Sequence, residues 1–215
     1  MRVIKTILLV WLAVGCAAQP FIDEIKNFRK QDSVALPPKD VILFIGSSSF
    51  TNWKDVQDYF PEHKILNRGF GGSSLTDLIY YADDIIFRYQ PKQIVIYCGE
   101  NDFAANDSLY PAQVADRFFK LFRIIREKFK TGKITYISMK PSPSRWDIKE
   151  RMISANAVIK DFLNNKTNTT FINVWNSMLS SDGNPIEDIF IRDKLHMNEK
   201  GYRIWQKLIE PHLLK

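Results

Sequence analysis

The stretch "VILFIGSSSF" (residues 41–50) runs five apolar residues straight into a glycine and three serines. Five such residues without a polar break suit a strand buried on both faces, as in parallel sheets rather than half-solvated antiparallel ones. The chain leaves that strand through Gly46-Ser47-Ser48-Ser49. Three hydroxyls can make a turn, and one of them can be a nucleophile. The stretch alone leaves both readings open.

Outward from it, four more short apolar or β-branched runs recur: "KILN" (64–67), "QIVIYC" (93–98), "KITYIS" (133–138) and "TFINVW" (170–175). Helical patterns lie between them. Over 74–89, Leu75, Leu78, Ile79, Ala82, Ile85, Ile86 and Tyr89 share one face, and Ser74 with Asp77 forms a cap pair. Over 111–130, Val114, Phe118, Leu121, Phe122, Ile125 and Phe129 do the same, opened by Pro111 and closed before Gly132. Residues 148–163 and 198–210 complete the set. Strands alternating with helices predict an α/β fold: a three-layer α/β/α sandwich around a five-stranded parallel sheet. A flavodoxin-like order, 2-1-3-4-5, is one of its two common windings, and ligands then bind where the loops after strands 1, 2 and 3 meet. Those loops are "GSSS" (46–49), "RGFGGSS" (68–74) and "GENDF" (99–103).

Length and composition bound the rest. The 215 residues suit one domain, and 45% apolar content fills a core. The net charge of +6 includes Arg2 and Lys5. Local basic clusters at "KNFRK" (26–30) and "REKFK" (126–130) have helical spacing and read as solvated faces, so no nucleic-acid partner is expected. Residues 1–18 read as a signal peptide, with a positive start and the apolar run "ILLVWLAVG" (7–15) before the small residues of "CAAQ" (16–19). That run is about half of the roughly 20 residues needed to span a bilayer. The expectation is a mature domain over 19–215, secreted or periplasmic. The alternative, drawn from "LAVGC" (12–16), is a lipoprotein anchored through Cys16. Cys98 is the only other cysteine, which leaves neither a disulfide framework nor a cysteine metal site. "NDS" (106–108), "NKT" (165–167) and "NTT" (168–170) fit the glycosylation pattern, which has meaning only outside bacteria.

A serine nucleophile needs an imidazole to take its proton and a carboxylate to hold that imidazole. Of the three histidines, His63 lies before the second strand and His212 in the tail. His196 follows the last strand, three residues after Asp193, which is close enough to reach its ring. Placement makes His196 the candidate base. The α/β-hydrolase elbow Gly-x-Ser-x-Gly is incomplete, because Phe50 stands where the motif would go on to glycine.

Four blocks then resemble the SGNH, or GDSL-type, hydrolase family in order and spacing: "FIGSSSF" (44–50), "NRGFGGSS" (67–74), "GEND" (99–102) and "DKLH" (193–196). The resemblance implies that Ser48 is the nucleophile and that Asp193 and His196 complete the triad. It also implies that the backbone N–H groups of Ser48 and Gly72 and the amide of Asn101 form the oxyanion hole. The family often has aspartate where this chain has Ser47, which puts the support of the loop in question more than the chemistry. No cofactor and no metal is implied. Ser47 and Ser49 read as turn formers, Ser73 and Ser74 as cap residues, Asp102 as a loop brace, Cys98 as a core thiol and Asn156 as a satisfied structural amide.

Exported members without a lid often deacetylate carbohydrates, so the resemblance implies a small-molecule or carbohydrate ester as substrate. Phe70, Phe103 and Trp146 lie on loops near the predicted site, where rings can stack on sugar or pack the rim. Lys140 and Arg145 in "KPSPSRW" (140–146) are further candidate contacts. Alternatives are a lysophospholipase or thioesterase, which longer apolar loops would favour, and a non-catalytic carbohydrate-binding protein, which a broken triad would favour. A flavin- or phosphate-binding protein could use "GSSS" but gives Asn101 and His196 no role.

Overall fold

The computed structural model describes residues 19–215. The expected signal segment, with Cys16, lies outside the described residues. The chain first forms α1 (Ile22–Val34), then β1 (Ile42–Gly46), two single-turn helices α2 (Ser48–Thr51) and α3 (Val56–Tyr59), β2 (Ile65–Asn67) and α4 (Leu75–Tyr80). β3 (Gln93–Tyr97), α5 (Glu100–Ala105), α6 (Pro111–Lys128), β4 (Lys133–Ile137), α7 (Lys149–Asn164), β5 (Thr169–Ile172) and α8 (Glu199–Ile209) follow. All five strands are parallel, in the order 2-1-3-4-5. β1 is therefore central, with Ile42 opposite both Ile65 and Gln93.

Strand alternation sorts the core into two layers, because successive side chains point to opposite faces. Leu43, Ile45, Ile94, Ile96, Ile134 and Tyr136 pack beneath α1, α4, α6 and α7. Ile42, Phe44, Val95, Tyr97, Ile137 and Ile172 face the other way, against Phe50, Trp53, Tyr202 and Trp205. Both faces of β1 are buried, which is why its sequence has no polar alternation.

Besides the expected loop "GENDF" (99–103), which runs into the short helix α5, two elements differ from the sequence expectation. The helical pattern over 74–89 is not one helix. α4 opens on the Ser74–Asp77 capping box, ends at Tyr80, and passes into a π-helical turn over Asp83–Phe87. A widened turn rotates the residues after it. Ile85, Ile86 and Tyr89 all bury, and the Tyr89 hydroxyl donates to Asp32 Oδ2 (2.7 Å) while accepting from Arg68 Nε (2.7 Å). The second difference is α1, whose sequence "IDEIKNFRKQDSV" is mostly polar and offers only a thin apolar stripe. Its attachment is ionic as well as apolar: buried Asp32 pairs with buried Arg68 at 2.6 Å and with Arg88 at 3.3 Å.

Candidate active site

Gly46 ends β1 with φ +152°, and a Cβ there would lie 1.9 Å from the Tyr97 carbonyl oxygen. Only glycine lets β1 turn so close to β3. The next N–H, of Ser47, donates to that same carbonyl at 3.1 Å. Ser48 is the first residue of α2 and is half-buried, whereas Ser47 and Ser49 are buried. The Ser49 carbonyl accepts from the Tyr202 hydroxyl at 2.9 Å. The turn therefore turns two of the three serines inward and leaves one in the cleft.

The loop before α8 meets it. His196 Nε2 is 2.9 Å from Ser48 Oγ, and His196 Nδ1 is 2.6 Å from Asp193 Oδ2. The other carboxylate oxygen, Asp193 Oδ1, accepts from the backbone N–H groups of Leu195 and His196, each at 2.9 Å. Lys194 makes this tight turn possible by adopting φ 56°. Partial burial pushes the Asp193 carboxyl up, but the donors from His196 and Leu195 outweigh it and hold the group down at about 2. Asp193 thus faces the imidazole as a carboxylate. The Nδ1 contact fits an Nδ1–H donor, which leaves Nε2 free to accept from the serine hydroxyl.

On the other side of Ser48 stands the glycine block. Gly72 has φ +75°, a left-handed turn that favours glycine. Among the described residues, the N–H groups of Ser48 and Gly72 donate to no other protein group. Asn101 Nδ2 donates to the Ser73 carbonyl at 3.1 Å, which fixes the amide and leaves its second N–H. Asp102 braces the loop. Its buried carboxylate accepts from Leu75 N (3.0 Å) and Arg117 Nη1 (2.7 Å), and burial pushes its pKa up. Cys98 is a core thiol whose pKa burial raises, and Asn156 is satisfied at both ends by the Met139 backbone (2.9 and 3.0 Å).

The structure brings Ser48, Gly72, Asn101, Asp193 and His196 to the C-terminal end of the sheet. It does not bring all the expected substrate contacts there. Phe70 and Phe103 are both fully buried. Phe70 packs edge-on against Phe21 and Tyr81 (5.3 and 5.9 Å), and Phe103 lies under the Arg151 guanidinium at 4.7 Å. Phe70 lies on the short loop after β2 and Phe103 on the inner face of α5, so both rings complete the core. Lys140 is likewise buried and ion-paired with Glu100. Arg145 and Trp146 remain half-buried on the loop after β4. Trp146 stacks on Trp175 (6.2 Å between centroids, 19° between planes). It also walls a groove of about 620 Å³ with Pro143, Asn184, Asp182, Glu187 and Asp188. That groove borders the catalytic-loop candidates: Ser144 N donates to the Lys194 carbonyl at 3.2 Å, and Lys194 Nζ pairs with Glu187 at 3.0 Å. Sequence reading missed the Glu100–Lys140 pair, whose members lie 40 residues apart with no shared pattern.

A fold with this switch-point site defines an acyl-transfer type of hydrolase. Consistent with it, the sequence profile of the GDSL-like lipase/acylhydrolase family matches residues 38–204, and the chain belongs to that family. It is a carboxylic ester hydrolase. No curated protein matches the chain in sequence. Solved structures share the fold. A GDSL-like lipase from Bacteroides thetaiotaomicron superimposes with a TM-score of 0.72 at 20% identity, covering 87% of this chain and 96% of that one. A carbohydrate esterase family 3 protein from Talaromyces cellulolyticus gives 0.65 at 12% identity, covering 80% and 95%. An acetyl xylan esterase from Geobacillus stearothermophilus gives 0.62 at 15% identity, covering 83% and 98%.

Proposed function

We propose that the protein is an exported serine esterase that removes small acyl groups, acetyl above all, from carbohydrate. The observation that carries this reading is the chain of contacts from Ser48 Oγ to His196 Nε2 (2.9 Å) and from His196 Nδ1 to Asp193 (2.6 Å). In the proposed reaction, Ser48 Oγ attacks the ester carbonyl carbon as its proton passes to His196 Nε2. The carbonyl oxygen becomes an oxyanion, met by the N–H groups of Ser48 and Gly72 and the Asn101 amide. The ester C–O bond breaks, the imidazolium protonates the leaving alcohol, and the acyl group stays on Ser48. Water, deprotonated by the same imidazole, then releases the acid and restores the serine. Asp193 holds the tautomer throughout and stabilises the transient imidazolium.

The alcohol side of the substrate is assigned to the groove beside Trp146. An aromatic wall with flanking carboxylates and an amide suits a hydroxyl-rich ring, since the ring face packs on the indole and hydroxyls meet the acceptors. The fold shared with the Talaromyces and Geobacillus esterases supports the same class of substrate. Residues 1–18 are assigned to the export signal. The test combines p-nitrophenyl acetate turnover with acetate release from acetylated xylan. Ser48→Ala should abolish both while leaving the fold intact, and Ser49→Ala should keep most of the activity. A dead Ser49→Ala beside a normal Ser48→Ala would overturn the assignment of the nucleophile.

A further inference from the structure

Beneath the site lies a buried charged cluster that the reaction does not use. The carboxylate of Glu100 accepts from the Tyr97 hydroxyl, from the Lys140 backbone N–H at 3.2 Å, and from Lys140 Nζ at 3.4 Å (Oε1) and 3.3 Å (Oε2). Lys140 is 1% exposed and Glu100 6%. The ammonium also lies 5.9 Å from the centre of the Phe190 ring, within cation–π range. Phe190 bridges to Met197, the residue after His196.

Such a pair is weak support for stability, because desolvating both charges offsets most of their attraction. Its position in the fold gives it another use. Glu100 opens α5 and is the neighbour of Asn101, the side-chain donor of the oxyanion hole. The turn that carries both begins at Gly99, with φ +133°, where a Cβ would sit 3.0 Å from Met139 Sδ. Among the described residues, the Asn101 side chain has one direct tether, the Ser73 carbonyl. Tyr97, whose carbonyl holds Ser47 N–H, closes the same cluster from the β3 side.

We propose that Glu100 and Lys140 are positioning residues: their buried pair clamps the first turn of α5 to the loop after β4 and so sets the Asn101 amide at the oxyanion. The proposal rests on the esterase reading. A displaced donor matters most in the transition state, when the charge has moved onto the oxygen, so the pair acts on kcat and not on KM.

The experiment is a double-mutant cycle on p-nitrophenyl acetate, with kcat and KM measured separately. Asn101→Ala should lower kcat by about 10²–10³-fold. Glu100→Gln should lower kcat by about 10- to 100-fold with KM unchanged. Added to Asn101→Ala, Glu100→Gln should cost no more than about twofold further, because it acts through the amide already removed. The neutral pair Glu100→Gln/Lys140→Met removes the unpaired charge and covers the case in which Glu100→Gln alone fails to fold. It should recover the melting temperature of the wild type but not its kcat. Losses that multiply in the double variant, or a neutral pair that regains kcat together with stability, would overturn the positioning role. If Asn101→Ala costs nothing, the oxyanion assignment itself fails. If Asn101→Ala is severe and Glu100→Gln harmless, only the positioning role fails.

Discussion

Ser47, Ser48 and Ser49 differ in little but the direction that the turn gives each one. Ser47 and Ser49 are buried, and only Ser48 Oγ is paired with an imidazole. Asp193 shows how much a local turn can do to one carboxyl. Two backbone N–H groups and the His196 ring bring it to about 2, below the ordinary carboxylate range, despite some burial. The sign follows from linkage: a carboxyl with a depressed folded pKa contributes its stabilisation fully above its unfolded value and loses it as pH falls through about 2. The carboxylate therefore stays charged in mildly acidic solution. The kcat/KM profile should show no ionisation from Asp193 in the ordinary carboxylate range, and Asp193→Asn should lower the plateau without removing a step there. A protonation step in the ordinary carboxylate range of the wild-type profile that Asp193→Asn removes would mean that Asp193 is not held as the geometry implies.

At the scale of elements, the strands were legible because burial on both faces leaves an unbroken apolar run, and "VILFI" and "QIVIY" have no other economical reading. The loops carrying Ser48, Gly72, Asn101, Asp193 and His196 were legible too, because glycine and polar residues gathered at the ends of those runs. α1 was not, since its partner is a buried arginine 36 residues away rather than a periodic apolar face. The π turn was hidden because the apolar residues over 74–89 keep an unbroken α-helical spacing that carries no mark of the extra residue. Phe70 and Phe103 were not legible as core residues: Phe70 turns inward from a short loop, and the segment expected as a loop at Phe103 is the helix α5, whose inner face carries the ring. The α1 attachment makes a prediction of its own. Asp32→Ala leaves Arg68 buried without its carboxylate, which costs about 3–5 kcal/mol by the general behaviour of broken buried pairs. Chemical denaturation should register that loss. A change smaller than about 1 kcal/mol, the range of exposed pairs, would mean that water reaches Arg68 and that the helix is held by its apolar stripe.

Across the whole molecule, the site lies where four loops meet at the C-terminal end of the sheet. The side chains of His196 and Asp193 are 23% and 44% exposed, so the reacting centre opens onto solvent on that side. The large aromatic rings nearest in sequence to the glycine and asparagine blocks, Phe70 and Phe103, are spent inside the core. On the proposed reading, an acyl chain extending from Ser48 reaches water rather than an apolar wall. Each methylene contributes about 0.8 kcal/mol to binding only when it is buried. Four added methylenes in a closed apolar channel would thus improve kcat/KM by more than about 100-fold. In an open cleft they add nothing, and a longer chain hinders the approach of water to the acyl-enzyme. Turnover of p-nitrophenyl esters should therefore be greatest for acetate and fall steadily through butyrate to octanoate. A rise of tenfold or more from acetate to octanoate would show that an apolar channel forms when substrate binds. The protein would then act on lipid-like esters, and acetylated carbohydrate would not be its substrate.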